Sequence, residues 1–147
     1  MKYKFSIFLI LSSFCLSAQN FSWSPQFPTI NDTITILYNS SLGNGSLQNI
    51  SEIYAHTGVI NRFSSNENDW QNIPVEWHEG PDSIIKMNSL GGYLFEMKFR
   101  IKSFYGLNNS DETRYLNFVF RDDFGNLSGL DSNNMEFNIP IFQDNEI

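Results

Sequence analysis

Beyond residue 20 the chain alternates apolar and polar residues with a period of two, and no useful length of it follows the 3.6-residue period of an amphipathic helix. Tyr93 to Arg100 is the clearest case, with Tyr93, Phe95, Met97 and Phe99 on one face and Glu96, Lys98 and Arg100 on the other. Thr33 to Tyr38 places Ile34, Ile36 and Tyr38 together, and Tyr115 to Arg121 does the same with Leu116, Phe118 and Phe120. Met135 to Ile141 aligns Met135, Phe137, Ile139 and Ile141, and Pro140, which cannot donate to a ladder, predicts an edge position there. Two further strands are predicted at Phe21–Trp23, ended by Pro25 and Pro28, and at Ile84–Leu90.

Turn chemistry separates these runs. Gly91-Gly92 between two alternating segments predicts a two-residue hairpin turn. Asn39 to Asn49 is rich in Asn, Ser and Gly and reads as a loop, Ser103 to Gly106 as a short turn, and Asp122 to Gly129 as a polar turn with Gly125 at positive φ. Seven to eight short strands in this arrangement predict an all-β fold, a single antiparallel immunoglobulin-like β-sandwich.

The stretch from Ile53 to Trp70 carries the most suggestive chemistry. As a strand it sets Ile53, Ala55 and Thr57 on one face and Glu52, Tyr54 and His56 on the other, with Gly58 breaking the pattern before a long polar loop. Tyr54 and His56 then stand side by side, and the loop delivers Asp69 and Trp70. Aromatic faces pack on the C–H faces of a pyranose, while His and Asp hydrogen-bond its hydroxyls, so this set predicts a sugar platform. The alternative is that Trp70 closes the end of the sandwich as core.

Tyr54-Ala55-His56-Thr57-Gly58-Val59-Ile60, Asp69-Trp70, Ser103-Phe104-Tyr105-Gly106-Leu107 and Phe118 to Asn126 occur in that order. In this the chain resembles the β-sandwich module at the N-terminus of secreted bacterial α-amylase-type proteins. It is more distantly similar to starch-binding carbohydrate-binding modules. The resemblance spans roughly Phe21 to Phe142. It implies a β-sandwich fold, an α-glucan ligand and sugar contacts at the matching positions Tyr54, His56 and Trp70. In the resembled proteins a catalytic or sorting domain often follows, whereas this sequence ends soon after its last predicted strand. A stand-alone module and a piece of a longer reading frame are both consistent with that.

The first residues read as a targeting segment. Lys2 and Lys4 precede an apolar run from Phe5 to Leu16, too short to span a bilayer, and Ala18 follows. The expected division is a signal peptide over 1–18, the sandwich over 19–142 and a tail over 143–147, with a secreted, cell-surface or periplasmic product. Cleavage would remove both lysines and Cys15, moving the formal net charge from −7 to −9 and leaving no disulfide. So acidic a surface argues against nucleic acid or an anionic membrane as partner.

Other constellations have ordinary alternatives. Trp77, in the irregular run from Asn61 to Pro81, is a candidate second sugar platform or a core plug. His56 and His78 lack a third ligand at defined spacing, so no zinc site is predicted. Asp122, Asp123, Asn126 and Asp131 have oxygen ligands for calcium, but their spacing does not match an EF-hand, and a solvated hairpin turn is the preferred reading. No nucleophile elbow or cysteine nucleophile is present, and a glycosidase would need a carboxyl pair in a cleft. The expectation is a non-catalytic module without cofactor or metal, binding an α-glucan, with a glycoside hydrolase as a candidate partner. The competing expectation is a structural spacer or protein-docking sandwich with no sugar site.

Overall fold

Residues 19–144 are described in a computed structural model of the chain; the predicted signal segment lies outside them. In chain order the strands are β1 (Phe21–Ser24), β2 (Thr33–Asn39), β3 (Tyr54–Ile60), β4 (Asn88–Gly91), β5 (Leu94–Arg100), β6 (Tyr115–Arg121), β7 (Ser128–Gly129) and β8 (Phe137–Pro140). One helical turn, α1 (Ile101–Tyr105), follows β5. Sheet A has the order β1-β2-β5-β4, and sheet B runs β3-β6 with β7 and β8 both paired to the far side of β6. All pairings are antiparallel. This is the immunoglobulin strand order, with ABED in one sheet and CFG in the other.

The core lies between the sheets and follows the period-two pattern. Ile34, Ile36 and Tyr38 from β2 face Leu116, Phe118 and Phe120 from β6, all fully buried. Tyr38 stacks on Phe120 with centroids 4.0 Å apart, and the Phe21 ring touches Phe118, Phe120 and Phe137. Buried Tyr105 of α1 is satisfied through Thr57, whose Oγ1 lies 2.6 Å from the phenol oxygen and donates to the Asn117 carbonyl. With no disulfide in the described region, this aromatic packing supplies the main stabilisation.

Four local expectations change. Ser103–Gly106 is the end of α1 rather than a simple turn, with Gly106 in the left-handed conformation that terminates it. β3 does not break at Gly58 but continues to Ile60, because β6 supplies a partner at every position up to Tyr115. The Ile84–Leu90 strand is divided between the sheets: Lys86 bridges Tyr54 of β3, while Asn88 onward pairs with β5. Tyr93 and Met135 are exposed at 46% and 60%, since each precedes the strand to which its alternation assigned it. Asp131 accepts the Met135 backbone N–H in a turn that swings this residue out of the core. Pro140 lies on β8, which pairs only with β6 and so forms an edge.

Candidate functional site

The outer face of sheet B is roofed on its β3 side by the irregular segment from residue 61 to 83. Gln71 runs back against β3 and exchanges two backbone hydrogen bonds with Val59, at 2.8 and 2.9 Å. The fit over Gly58 is tight: a Cβ there would lie 3.0–3.1 Å from Ile73, the Gln71 carbonyl and the Trp70 Cβ. Glycine at this position therefore lets the segment lie flat on the strand.

Two anchors hold the far part of the segment. Arg121, fully buried at the end of β6, donates to the carbonyls of Asp122, Asp123 and Glu79 at 2.6–3.1 Å. Trp77 donates its indole N–H to the Gly125 carbonyl at 3.2 Å. Gly125 has φ +70°, and a Cβ there would lie 2.7 Å from the Trp77 ring nitrogen, so both conformation and space demand glycine.

The predicted platform residues are drawn together only in part. His56 is half-buried between two indoles, stacked on Trp70 at 5.4 Å and 22° and meeting Trp77 edge-on at 5.0 Å and 88°. Burial lowers its pKa below the ordinary 6.5, and Arg121 adds to that, while the Val75 backbone and Glu76 act against it. Its Nδ1 is buried without a hydrogen-bond partner among the described residues. Tyr54 is not an exposed ring beside it. At 3% exposure it packs with Val75 and Ile85 beneath the covering segment, and Arg121 sits 5.8 Å from its centroid. Strand parity sends Tyr54 outward, but the segment closes over it.

Asp69 also has a different position from the one expected. Its carboxylate accepts the Ser65 backbone N–H at 2.8 Å, the Ser65 hydroxyl at 2.9 Å and the Gln71 amide at 3.0 Å. Those bonds, the Ser65 backbone first, hold its pKa below the usual carboxylate value. Asp69 therefore shapes the loop that carries Trp70. Trp70 and Trp77 are both half-buried, and His78 is exposed.

Beside this aromatic cluster the same sheet face opens into a groove of about 480 Å³. Its floor is formed by Asn117 and Val119 of β6 with Asn138 of β8, and its rims by Glu67 and Asn68 on one side and Met135 and Glu136 on the other. A polar ladder crosses it: the Asn138 amide donates to Asn117 Oδ1 at 2.8 Å, and the Asn117 amide donates to Glu136 Oε1 at 3.1 Å. Burial raises the Glu136 pKa, and hydrogen bonds involving Asn138 and Trp70 oppose the rise. Trp70 thus stands at the margin of the groove. The sequence signal for it was faint: Asn117 and Asn138 occupy outward positions in strands whose inward faces are wholly apolar.

The acidic turn is engaged with its own backbone. Asp122 accepts from Leu127 N–H, Asp123 from Phe124 and Asp131 from Asn133. Among the described residues no three His, Cys, Asp or Glu side chains converge as a metal site. In comparisons with known proteins, no family model matches the sequence and no curated protein matches it.

Proposed function

We propose that this chain is a non-catalytic carbohydrate-binding module, secreted and accessory to polysaccharide degradation, with an α-glucan such as starch or a malto-oligosaccharide as its ligand. The observation carrying this reading is the half-buried Trp70 indole, oriented by His56 at the margin of a groove floored with carboxamides. Aromatic rings next to amide and carboxylate acceptors suit the alternating C–H faces and hydroxyls of a sugar. The resemblance to starch-binding modules agrees with it at His56 and Trp70. Glu136 accepts from Asn117, which suits a positioned acceptor better than a free acid catalyst.

One observation favours the spacer or docking reading instead. Tyr54 is buried, so a platform of two adjacent exposed rings on β3 does not exist.

Affinity electrophoresis through soluble starch separates the two. The glucan reading expects retardation of the wild-type chain and its loss in Trp70→Ala with the melting transition kept. Unretarded migration of the wild type across a panel of α- and β-glucans would sink it. A Trp70→Ala chain that loses several kcal/mol of stability, binding only in proportion to its folded fraction, would make Trp70 core.

A further inference from the structure

We infer that the groove between the Glu67–Asn68 rim and the Met135–Glu136 rim is the ligand cleft itself, and that it takes an uncharged oligosaccharide lying along β6 and β8. This inference rests on the carbohydrate reading and adds to it a location and a charge class.

Three features of the groove lead there. Its volume of about 480 Å³ falls within the range of small-ligand sites, roughly 300–1,000 Å³. Its floor is pre-ordered: Asn117 is 1% exposed, with its carbonyl oxygen taken by Asn138 and its amide shared between Glu136 and the Glu67 carbonyl. Asn138, by contrast, is exposed and uses only its amide in the ladder, which leaves its carbonyl oxygen to accept from a hydroxyl. Apolar surface is available alongside, where Tyr115 is 40% and Met135 60% exposed. A ring with a C–H face and outward hydroxyls matches both kinds of surface at once.

Charge narrows the class. Glu67 and Glu136 line the groove, and among the described residues no Lys, Arg or His does. A uronate, sulfate or phosphate would meet two carboxylates with no cation to offset them. Glu136 is already unfavourable to charge in this setting, and Glu67 adds to that. Its engaged oxygen and half-buried position make it an acceptor for hydroxyls more than a counter-ion for an amine.

Isothermal titration with a neutral malto-oligosaccharide, a neutral β-linked glucan oligosaccharide, an oligogalacturonate and an amino-sugar oligosaccharide tests the assignment. Asn138→Ala and Asn68→Trp are made on exposed groove positions, the first removing the free acceptor together with the amide that holds Asn117, the second obstructing the rim. The expected result is binding of a neutral oligosaccharide, weakened on the order of tenfold or more in both variants, tenfold being about 1.4 kcal/mol, with the melting temperature unchanged in Asn68→Trp and a single cooperative transition kept in Asn138→Ala. Binding lost in Trp70→Ala but kept in both groove variants would overturn the cleft and leave the carbohydrate reading standing. Preference for the oligogalacturonate or the amino sugar would overturn the charge class. Failure of the wild type to bind any of the four would remove the cleft and the carbohydrate reading together.

Discussion

The two faces of sheet B are buried by different means. The inner face is closed by regular strands, whose side chains interdigitate with those of sheet A: Ala55, Thr57 and Val59 of β3 with Leu116, Phe118 and Phe120 of β6 are all at most 1% exposed. The β3 side of the outer face is closed by an irregular segment, and what holds it is mostly polar. Arg121 grips three carbonyls, Trp77 reaches a fourth, and Asp69 ties Ser65 to Gln71. Only a small apolar group, Tyr54, Val75 and Ile85, lies beneath it. Apolar packing on the inner side sets stability, whereas the directional bonds on the outer side set where a loop and its aromatic rings are placed. The candidate site belongs to the second kind.

That contrast can be broken most sharply at Phe120. It stacks on Tyr38 at the centre of the inner layer, and Phe120→Ala should cost about 3–5 kcal/mol by chemical denaturation. A loss near 1 kcal/mol would mean that the inner layer tolerates collapse and does not dominate stability. Arg121→Leu comes next. It leaves buried carbonyls without their donor, a cost on the order of 2 kcal/mol, and should free Trp77, seen as a red shift in tryptophan emission below the main unfolding transition. A loss as large as that of Phe120→Ala, with no separate fluorescence change, would merge the two layers into one cooperative unit.

A smaller effect comes from His56. Its folded pKa is lowered, so on acidification the unfolded chain takes up this proton first. The stability contributed by the neutral imidazole is therefore present above the ordinary value of 6.5 and is lost as pH falls through the lowered folded value. Arg121, Glu76 and the two indoles surround the ring. The stability advantage of wild type over His56→Gln should thus shrink on acidification, measured by melting at a series of pH values; an advantage that grows would place a charged imidazole in the folded state. Lys98→Ala, on the exposed side of β5, should fall within about 0.5 kcal/mol. A larger loss would show that the solvent face of sheet A carries energy that its exposure hides.

The inner layer was legible because its signal is local. Phe95 and Met97 alternate with Glu96 and Lys98, and pairing with β2 keeps that parity, with Phe95 opposite Tyr38 and Met97 opposite Ile36. The outer layer was not legible for the same reason. Parity says that Tyr54 points away from the core, but not whether water or another segment meets it. Its cover, from residue 61 to 83, shows no periodicity, and the bonds that place it join residues far apart, such as Arg121 to Glu79 and Trp77 to Gly125. Trp70 and His56 could be nominated from their types. The ladder from Asn138 through Asn117 to Glu136 could not, since it needs the register of β6 against β8. α1 was missed because five residues are too few to display a helical period.

The segment that folds back along β3 has a further consequence, for self-association. β3 is the outermost strand of sheet B, and an unoccupied strand margin can recruit a strand from another molecule and start a growing assembly. Here the margin is occupied at both ends, by Ile85 accepting the Ala55 N–H at 2.8 Å and by Gln71 bonded both ways to Val59. The irregular stretch that the candidate site depends on, with Ile85 just after it, thus also acts as a guard against intermolecular pairing. A variant whose covering segment is released should show it first as turbidity in concentrated solution, before any change in the melting of the sandwich beneath.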